Sequence, residues 1–303
     1  MKGDTIWEIA IRTTAEAEDA VSELLSTIVG KTRCVCATDP EERVSTVSIY
    51  CNRLPSNVLP LLTALRAGMS QIKRFGLDAG AARVFVRRIR YQDWAEAWKR
   101  HFRPFEIGKS LLIRPSWSRR RARKNQAVVV LDPGLSFGTG HHPTTAFCLR
   151  ELARRAKVAG TQSFLDIGTG SGILATAAAR LGYAPVDAFD LDPEAVRAAR
   201  ANARVNGLAR KINIQCSDLT KLPSQPNRRY DLVCANLIST LLIAERQRLA
   251  RLLLPGATLV LSGISKSEFF EVQTAYRAAG LRLLSSRLEQ GWRSGVFVEA
   301  TSG

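Results

Sequence analysis

The run Asp166-Ile167-Gly168-Thr169-Gly170-Ser171-Gly172 constrains this chain more than any other feature of it. It sits between an apolar stretch at 163–167 that reads as a strand and a stretch at 173–181 that reads as a helix. Its glycines remove the β-carbons that would hold a ligand away from the backbone, and they permit a tight turn. The helix that follows presents unpaired N–H groups at the same place. A second strand, 186–189, ends at Asp190. A carboxylate there can accept hydrogen bonds from two adjacent ribose hydroxyls, as in dinucleotide-binding folds. The dinucleotide fingerprint, however, is G-x-G-x-x-G. Here the spacing is G-x-G-x-G, opened by Asp166, and the third position after Gly170 is Ile173.

From Leu111 onward, strands alternate with helices, which implies a parallel sheet covered on both faces. After the helix at 193–206 come strands at 212–216 and 230–235, a helix at 241–253, an extended run at 257–261 and a helix at 268–279. The tail, 282–288 and 294–300, reads as an antiparallel hairpin at the sheet edge. Asp166, Asp190, Asp218 and Asn236 then all fall outside the carboxyl ends of strands, where such sheets bind ligands. Singly, each is an ordinary cap or turn residue. The Asp166–Gly172 run resembles the first motif of the S-adenosylmethionine (SAM) methyltransferases. That resemblance puts Asp218 near the adenine amino group and Asn236 beside the transferring methyl group.

The first 90 residues read differently. Residues 5–12 alternate, with Ile6, Glu8 and Ala10 on one face and Trp7, Ile9 and Ile11 on the other. Thr13 and Thr14 are candidate caps for a helix at 15–28 that Gly30 ends. Strands at 33–37 and 44–51, a helix at 56–75 and a strand at 83–89 complete a βαββαβ order, the signature of a split-βαβ, ferredoxin-like domain. It contains no cluster of catalytic residue types and suits recognition of a partner. Trp94, Trp98 and Phe102 recur at intervals of four in a short helix, a spacing that fits core packing better than a base-stacking platform. The expected organisation is a ferredoxin-like domain at 1–90, a linker helix at 91–105 and a doubly wound, Rossmann-like α/β domain at 106–303.

A net charge of +17 over 303 residues favours anionic partners, ribosomal RNA among them, although basic solubility explains it equally well. The dense run is Arg119-Arg120-Arg121-Ala122-Arg123-Lys124, read as a solvated loop between two strands. None of the six cysteines forms a C-x-x-C pair, which argues against zinc or a disulfide framework and for reduced thiols in a cytoplasmic protein. Neither a signal peptide nor a membrane-spanning run is visible.

Residues 131–145 form a glycine-rich loop able to close over a cofactor, with Pro143 placed for the first turn of a following helix. The adjacent His141 and His142 lack the companion ligands of a metal site. Together with Asp93-Trp94 to Phe105, the Asp166–Gly172 turn, Ala235-Asn236-Leu237 and Leu261-Ser262-Gly263-Ile264, this loop is similar to the PrmA family, bacterial methyltransferases that modify amino groups of a large-subunit ribosomal protein, L11. The similarity covers nearly the whole chain. It implies SAM as cofactor, Thr145, Gly168, Gly170, Asp190, Asp218 and Asn236 as cofactor contacts, and Asn236 as the residue that orients the amine. His142 is the candidate general base, and a monomer without membrane contact is expected. Two departures flank the acceptor side: His141-His142 stands where the family has Thr before a single His, and Leu237-Ile238-Ser239-Thr240-Leu241-Leu242 replaces Ile-Leu-Ala-Gly-Pro-Leu. The rival readings are an RNA methyltransferase and a non-catalytic SAM- or RNA-binding module. No aromatic-proline motif follows the fourth strand to support the first.

Overall fold

The computed structural model describes residues 5–14, 16–30, 35–39, 44–51, 54, 57–90, 104–131, 142–156, 161–223 and 225–300. The chain divides into two compact units, Met1–Phe102 and Arg103–Gly303. The Trp94–Phe102 stripe and most of the 91–105 linker helix lie outside the described residues, as do positions 132–141 of the glycine-rich loop.

The first unit runs β1 (Thr5–Thr14), α1 (Glu18–Val29), β2 (Val35–Asp39), β3 (Val44–Cys51), α2 (Leu59–Arg74) and β4 (Arg83–Arg90). Its antiparallel sheet has the order β2-β3-β1-β4, the ferredoxin-like arrangement expected. Ile9 and Ile11 of β1 meet Val21 and Leu25 of α1 and Leu65 and Met69 of α2 in one core. On the alternate face Glu8 is buried, accepting from Ser48 Oγ and Tyr50 Oη, each at 2.9 Å, and from Arg87. That network supplies the partners a buried carboxylate needs. The threonine caps are a correction. Thr13 and Thr14 are the last rungs of β1, paired with Ser45 and Val44, and α1 starts behind Ala17 without a side-chain cap. The ladder claims both backbones before the helix can.

The second unit contains β5 (Phe105–Ile107), β6 (Leu111–Arg114), β7 (Ala127–Val130), α3 (Pro143–Arg155), β8 (Phe164–Ile167), α4 (Ile173–Arg180), β9 (Val186–Asp190), α5 (Pro193–Val205), β10 (Ile212–Cys216), β11 (Tyr230–Asn236), α6 (Ser239–Ala244), α7 (Arg246–Arg251), β12 (Leu253–Ser262), α8 (Phe269–Ala278), β13 (Leu281–Glu289) and β14 (Trp292–Glu299). Seven strands form a sheet in the order β10-β9-β8-β11-β12-β14-β13, parallel up to β12 and antiparallel beyond. The order reverses between β8 and β11, which is where doubly wound sheets open a ligand crevice. All four residues of β8 are buried, as a strand covered on both faces requires. Below one face, Leu242, Leu249, Phe269, Val272 and Tyr276 pack against Leu165, Val233, Leu259 and Phe297.

Three readings change here. The strands from Leu111 do not join the main sheet: β5, β6 and β7 form a separate three-stranded one. Strand β7 packs on α4, which itself packs on β8 and β9, and Asn206 closes its end by donating to Val130 O (2.6 Å) and accepting from Val130 N (2.9 Å). The helix expected at 241–253 is two short helices, and Leu253 already opens β12, because Pro255 pushes the residue before it into extended conformation. In the C-terminal hairpin, β14 lies inside the sheet against β12 and β13 takes the edge.

Candidate functional site

The site assembles where the carboxyl ends of β8, β9, β10 and β11 lie side by side. The ladders align Ile167 with Phe189 and with Ala235, and Asp190 with Cys216. This brings Gly168, Asp190, Asp218 and Asn236 to one edge of the sheet.

The turn after β8 is fixed by its own backbone. Gly168 N–H and Thr169 N–H both donate to Phe189 O at 3.0 Å, and Gly172 N–H donates to Thr169 O at 2.8 Å. Gly168 and Gly172 have φ of +70° and +78°. A Cβ at Gly168 would stand 2.6 Å from Leu237 Cδ2, and one at Gly172 would stand 2.9 Å from Ala199 Cβ. The first glycine therefore keeps the crevice open beside Leu237, and the second lets α4 lie against α5. Asp166, 1% exposed, accepts on one oxygen from Thr169 Oγ1 (2.6 Å) and Ala175 N (3.2 Å), tying strand, turn and helix together. Burial pushes its carboxyl up to about 7, against those two hydrogen bonds, and nearby Asp190 adds to the rise.

Asp190 accepts from Gly170 N (2.8 Å) and Asp192 N (2.9 Å), one on each oxygen. A carboxylate has about four acceptor positions, so two stay open for hydroxyl donors. The next residue, Leu191, is 66% exposed, and its carbonyl accepts from Cys216 Sγ at 3.6 Å. An apolar side chain beside free acceptors is the surface a nucleoside needs: hydroxyls on the carboxylate, a base over the leucine. The residues present thus fit an adenosyl group. Asp218 caps the short 3₁₀ turn Leu219–Lys221, accepting from Thr220 N (2.9 Å) and Thr220 Oγ1 (2.8 Å), bonds that hold its carboxyl below the usual carboxylate range.

On the other side of Gly168, Asn236 ends β11 and its Nδ2 reaches Thr145 Oγ1 at 3.5 Å. Thr145, 1% exposed, lies in the first turn of α3 behind Pro143, so the proline placement holds. His142 caps that helix in extended conformation. Its Nδ1 lies 2.7 Å from Thr144 Oγ1, and its ring stands edge-on to Trp292 with centroids 5.2 Å apart. Thr144 O accepts from Ser262 Oγ (3.1 Å), which in turn bonds Ser294 Oγ (2.7 Å). Trp292 and Ser294 escaped sequence reasoning, and Ile238, one of the departures flanking the acceptor side, is 66% exposed. A lone tryptophan after a turn carries no spacing signal, and the serine pair joins β12 to β14, strands whose adjacency sequence does not announce. Among the described residues no cluster of ligating side chains can hold a metal. Cys51, Cys148 and Cys234 are buried thiols that form no disulfide, whereas Cys216 is exposed. No helix among the described residues is long and apolar enough to cross a membrane.

Comparison with known proteins finds similarity over nearly the whole chain. A family model described as Ribosomal protein L11 methyltransferase (PrmA) matches residues 5–299. Proteins named ribosomal protein L11 methyltransferase from Pelotomaculum thermopropionicum and Brevibacillus brevis are 36% and 33% identical, each aligning over 94% of this chain and 96% of its own length. A crystal structure of a ribosomal protein L11 methylase from Lactobacillus delbrueckii subsp. bulgaricus superposes with a TM-score of 0.59 at 28% identity, covering 65% of this chain and 99% of that one.

Proposed function

The chain belongs to the ribosomal protein L11 methyltransferase (PrmA) family, and on that premise we propose that it transfers methyl groups from SAM to amino groups, lysine side chains or an α-amine, of ribosomal protein L11. The observation that carries this reading is the convergence of the Gly168 turn, Asp190 and Asn236 at the point where the strand order reverses. SAM, when bound, supplies an electrophilic methyl group on a sulfonium.

We assign the ribose hydroxyls to the open acceptor positions of Asp190, the close backbone approach to Gly168 and Gly170, and the base to the side of Leu191 with Asp218 at its amino group. Thr145 contacts the cofactor from α3. What remains for the chain is to present an amine lone pair in line with the breaking bond. Holding two reactants in that geometry is worth about 7–11 kcal/mol. The Asn236 carboxamide oxygen and the neighbouring backbone carbonyls accept the amine's N–H groups and aim its lone pair. A lysine ammonium, with a reference pKa of about 10.4, has to lose a proton first, and desolvation in a closed site favours that loss. The His142 Nδ1 contact with Thr144 supports a role in positioning α3 rather than in taking that proton. We assign protein recognition to the ferredoxin-like unit, and the reaction to the compartment where ribosomes are assembled.

The test offers purified L11 and large-subunit ribosomal RNA separately with methyl-labelled SAM. Label on the protein, located on amines by mass spectrometry, is expected. Label on the RNA overturns the assignment, and absence of S-adenosylhomocysteine formation with either would reduce the chain to a binding module.

A further inference from the structure

The positive charge of the chain is unevenly placed. Of its 44 Lys and Arg residues and 27 Asp and Glu residues, positions 103–303 hold 29 and 15, so +14 of the net +17 belongs to the second unit. The densest block is 104–131, where seven Lys and Arg residues stand against one carboxylate, Glu106.

The structure gives that block a shape. Strands β6 and β7 run parallel, so the chain between them must return along the small sheet. Residues 115–126 make that return with neither helix nor strand, as a strap pinned along its length. Arg114 donates to Ser118 O at one end, and at the other Gln126 Nε2 donates to Leu111 O (3.3 Å) while its Oε1 accepts from Arg123 N (3.0 Å). Between them Arg120 and Arg123 both turn onto Glu106, Arg123 at 3.1 Å. The fold thus spends its one local carboxylate on two arginines. Arg119, Arg121 and Lys124 are exposed and have no ion-pair partner among the described residues. Arg119 and Arg121, two residues apart, alternate with Arg120, which is paired with Glu106. Beside them Trp117 is 38% exposed.

No ion pair among the described residues uses these three cations, and holding them together in one ordered row works against their mutual repulsion. We propose that the strap is a docking surface for the sugar-phosphate backbone of RNA. Guanidinium groups pair with phosphate oxygens through two parallel N–H bonds, and an exposed indole offers a face on which an unpaired base stacks. The pinning by Glu106 matters because a pre-ordered row loses less entropy on binding than a free loop does. This surface stands apart from the methyl-transfer assignment and does not depend on which group is methylated.

The experiment is fluorescence anisotropy of a labelled large-subunit ribosomal RNA fragment titrated with the full chain across a salt series. We expect the variant R119A/R121A/K124A to lower the slope of log affinity against log salt by about 2–3, and to weaken binding at least about tenfold at about 0.1 M salt. The variant R229A/R277A/R282A removes the same charge at exposed positions elsewhere in the unit and should stay within about twofold of the parent. The heat of SAM binding reports that each variant is folded. Should the triple variant fail that check, R121E alone reads the same surface. Equal losses in the two triple variants would show a diffuse field and sink the proposal, as would absence of RNA binding by the parent chain. A strap variant that keeps RNA affinity but loses L11 would assign the strap to the protein instead.

Discussion

The two halves of the sheet edge are built differently. On the side of β8 and β9, polar groups of neighbouring loops satisfy one another at short range: Gly170 and Asp192 on Asp190, Thr169 and Ala175 on Asp166. These four bonds span 20 residues or fewer. On the side of β11, β12 and β14 the ties join segments far apart: Asn236 with Thr145 across 91 residues, Ser262 with Thr144 across 118. Short-range constructions make a rigid, recurrent cradle for the constant partner, the cofactor. Long-range ones let the acceptor side be tuned through remote strands, and the departures from family pattern cluster there.

The largest effect should come from the near half. Asp190→Ala removes an acceptor for two backbone N–H groups and both assigned ribose hydroxyls. With hydrogen bonds to a charged group worth about 1.5–3 kcal/mol each, SAM affinity should fall roughly a thousandfold by calorimetry. A drop below about tenfold would break the idea that this half carries cofactor binding.

Asn236→Ala, across the divide, should do the reverse. Turnover should fall about a hundredfold, the usual loss of one preorganised dipole, while SAM affinity moves less than about threefold. Parallel losses in both would erase the distinction between the halves.

The same contrast explains what was legible. Asp166–Gly172 and Asp190 were readable because a turn motif and the end of a strand are local facts, and the parallel, doubly wound class of the sheet followed from helix–strand alternation. The strand pattern placed Asn236 at a strand end, but its role came only through family likeness, and Trp292 and the Ser262–Ser294 pair were not placed at all. The helix expected at 241–253 failed for a related reason. Leu252-Leu253-Leu254 satisfies a helix face and a buried strand equally, and Pro255 together with the pairing of Leu253 with Tyr230 decides for the strand. The separate β5–β7 sheet was likewise invisible, because three short apolar runs do not declare whether they join a sheet or lie over a helix.

Asp166 offers a pH-dependent probe of the near half. Its carboxyl sits at about 7 in the folded chain against 3.8 for an ordinary aspartate, so the native state holds a proton that the unfolded chain releases. That contribution to stability is complete below about pH 4 and is lost as pH rises through about 7. Urea unfolding of the parent chain should therefore weaken between pH 5 and 8 relative to Asp166→Asn, by an amount on the order of a few kcal/mol at most. Identical pH slopes for the two proteins would show that Asp166 stays ionised and that its two donors outweigh its burial.

The smallest effect tests the far half. Ser262 has one hydroxyl proton, and Thr144 O accepts it, so Ser294 is the donor in the Ser262–Ser294 bond. Ser294→Ala leaves the tie to α3 in place and removes only its support, at about 1 kcal/mol. Ser262→Ala cuts the tie itself and frees the first turn of α3, which carries Thr145 toward Asn236. The expected order is therefore Ser262→Ala above Ser294→Ala in loss of kcat/KM for L11, about tenfold against about threefold, while SAM affinity, which these strands reach only through the Thr145 contact, falls by less than about threefold in both. The double variant should match Ser262→Ala alone, because the second serine acts only through the first. Additive losses, or a matching loss of SAM affinity, would mean that these strands support the cofactor cradle as well, and that the far half of the sheet edge is not a separate acceptor wall.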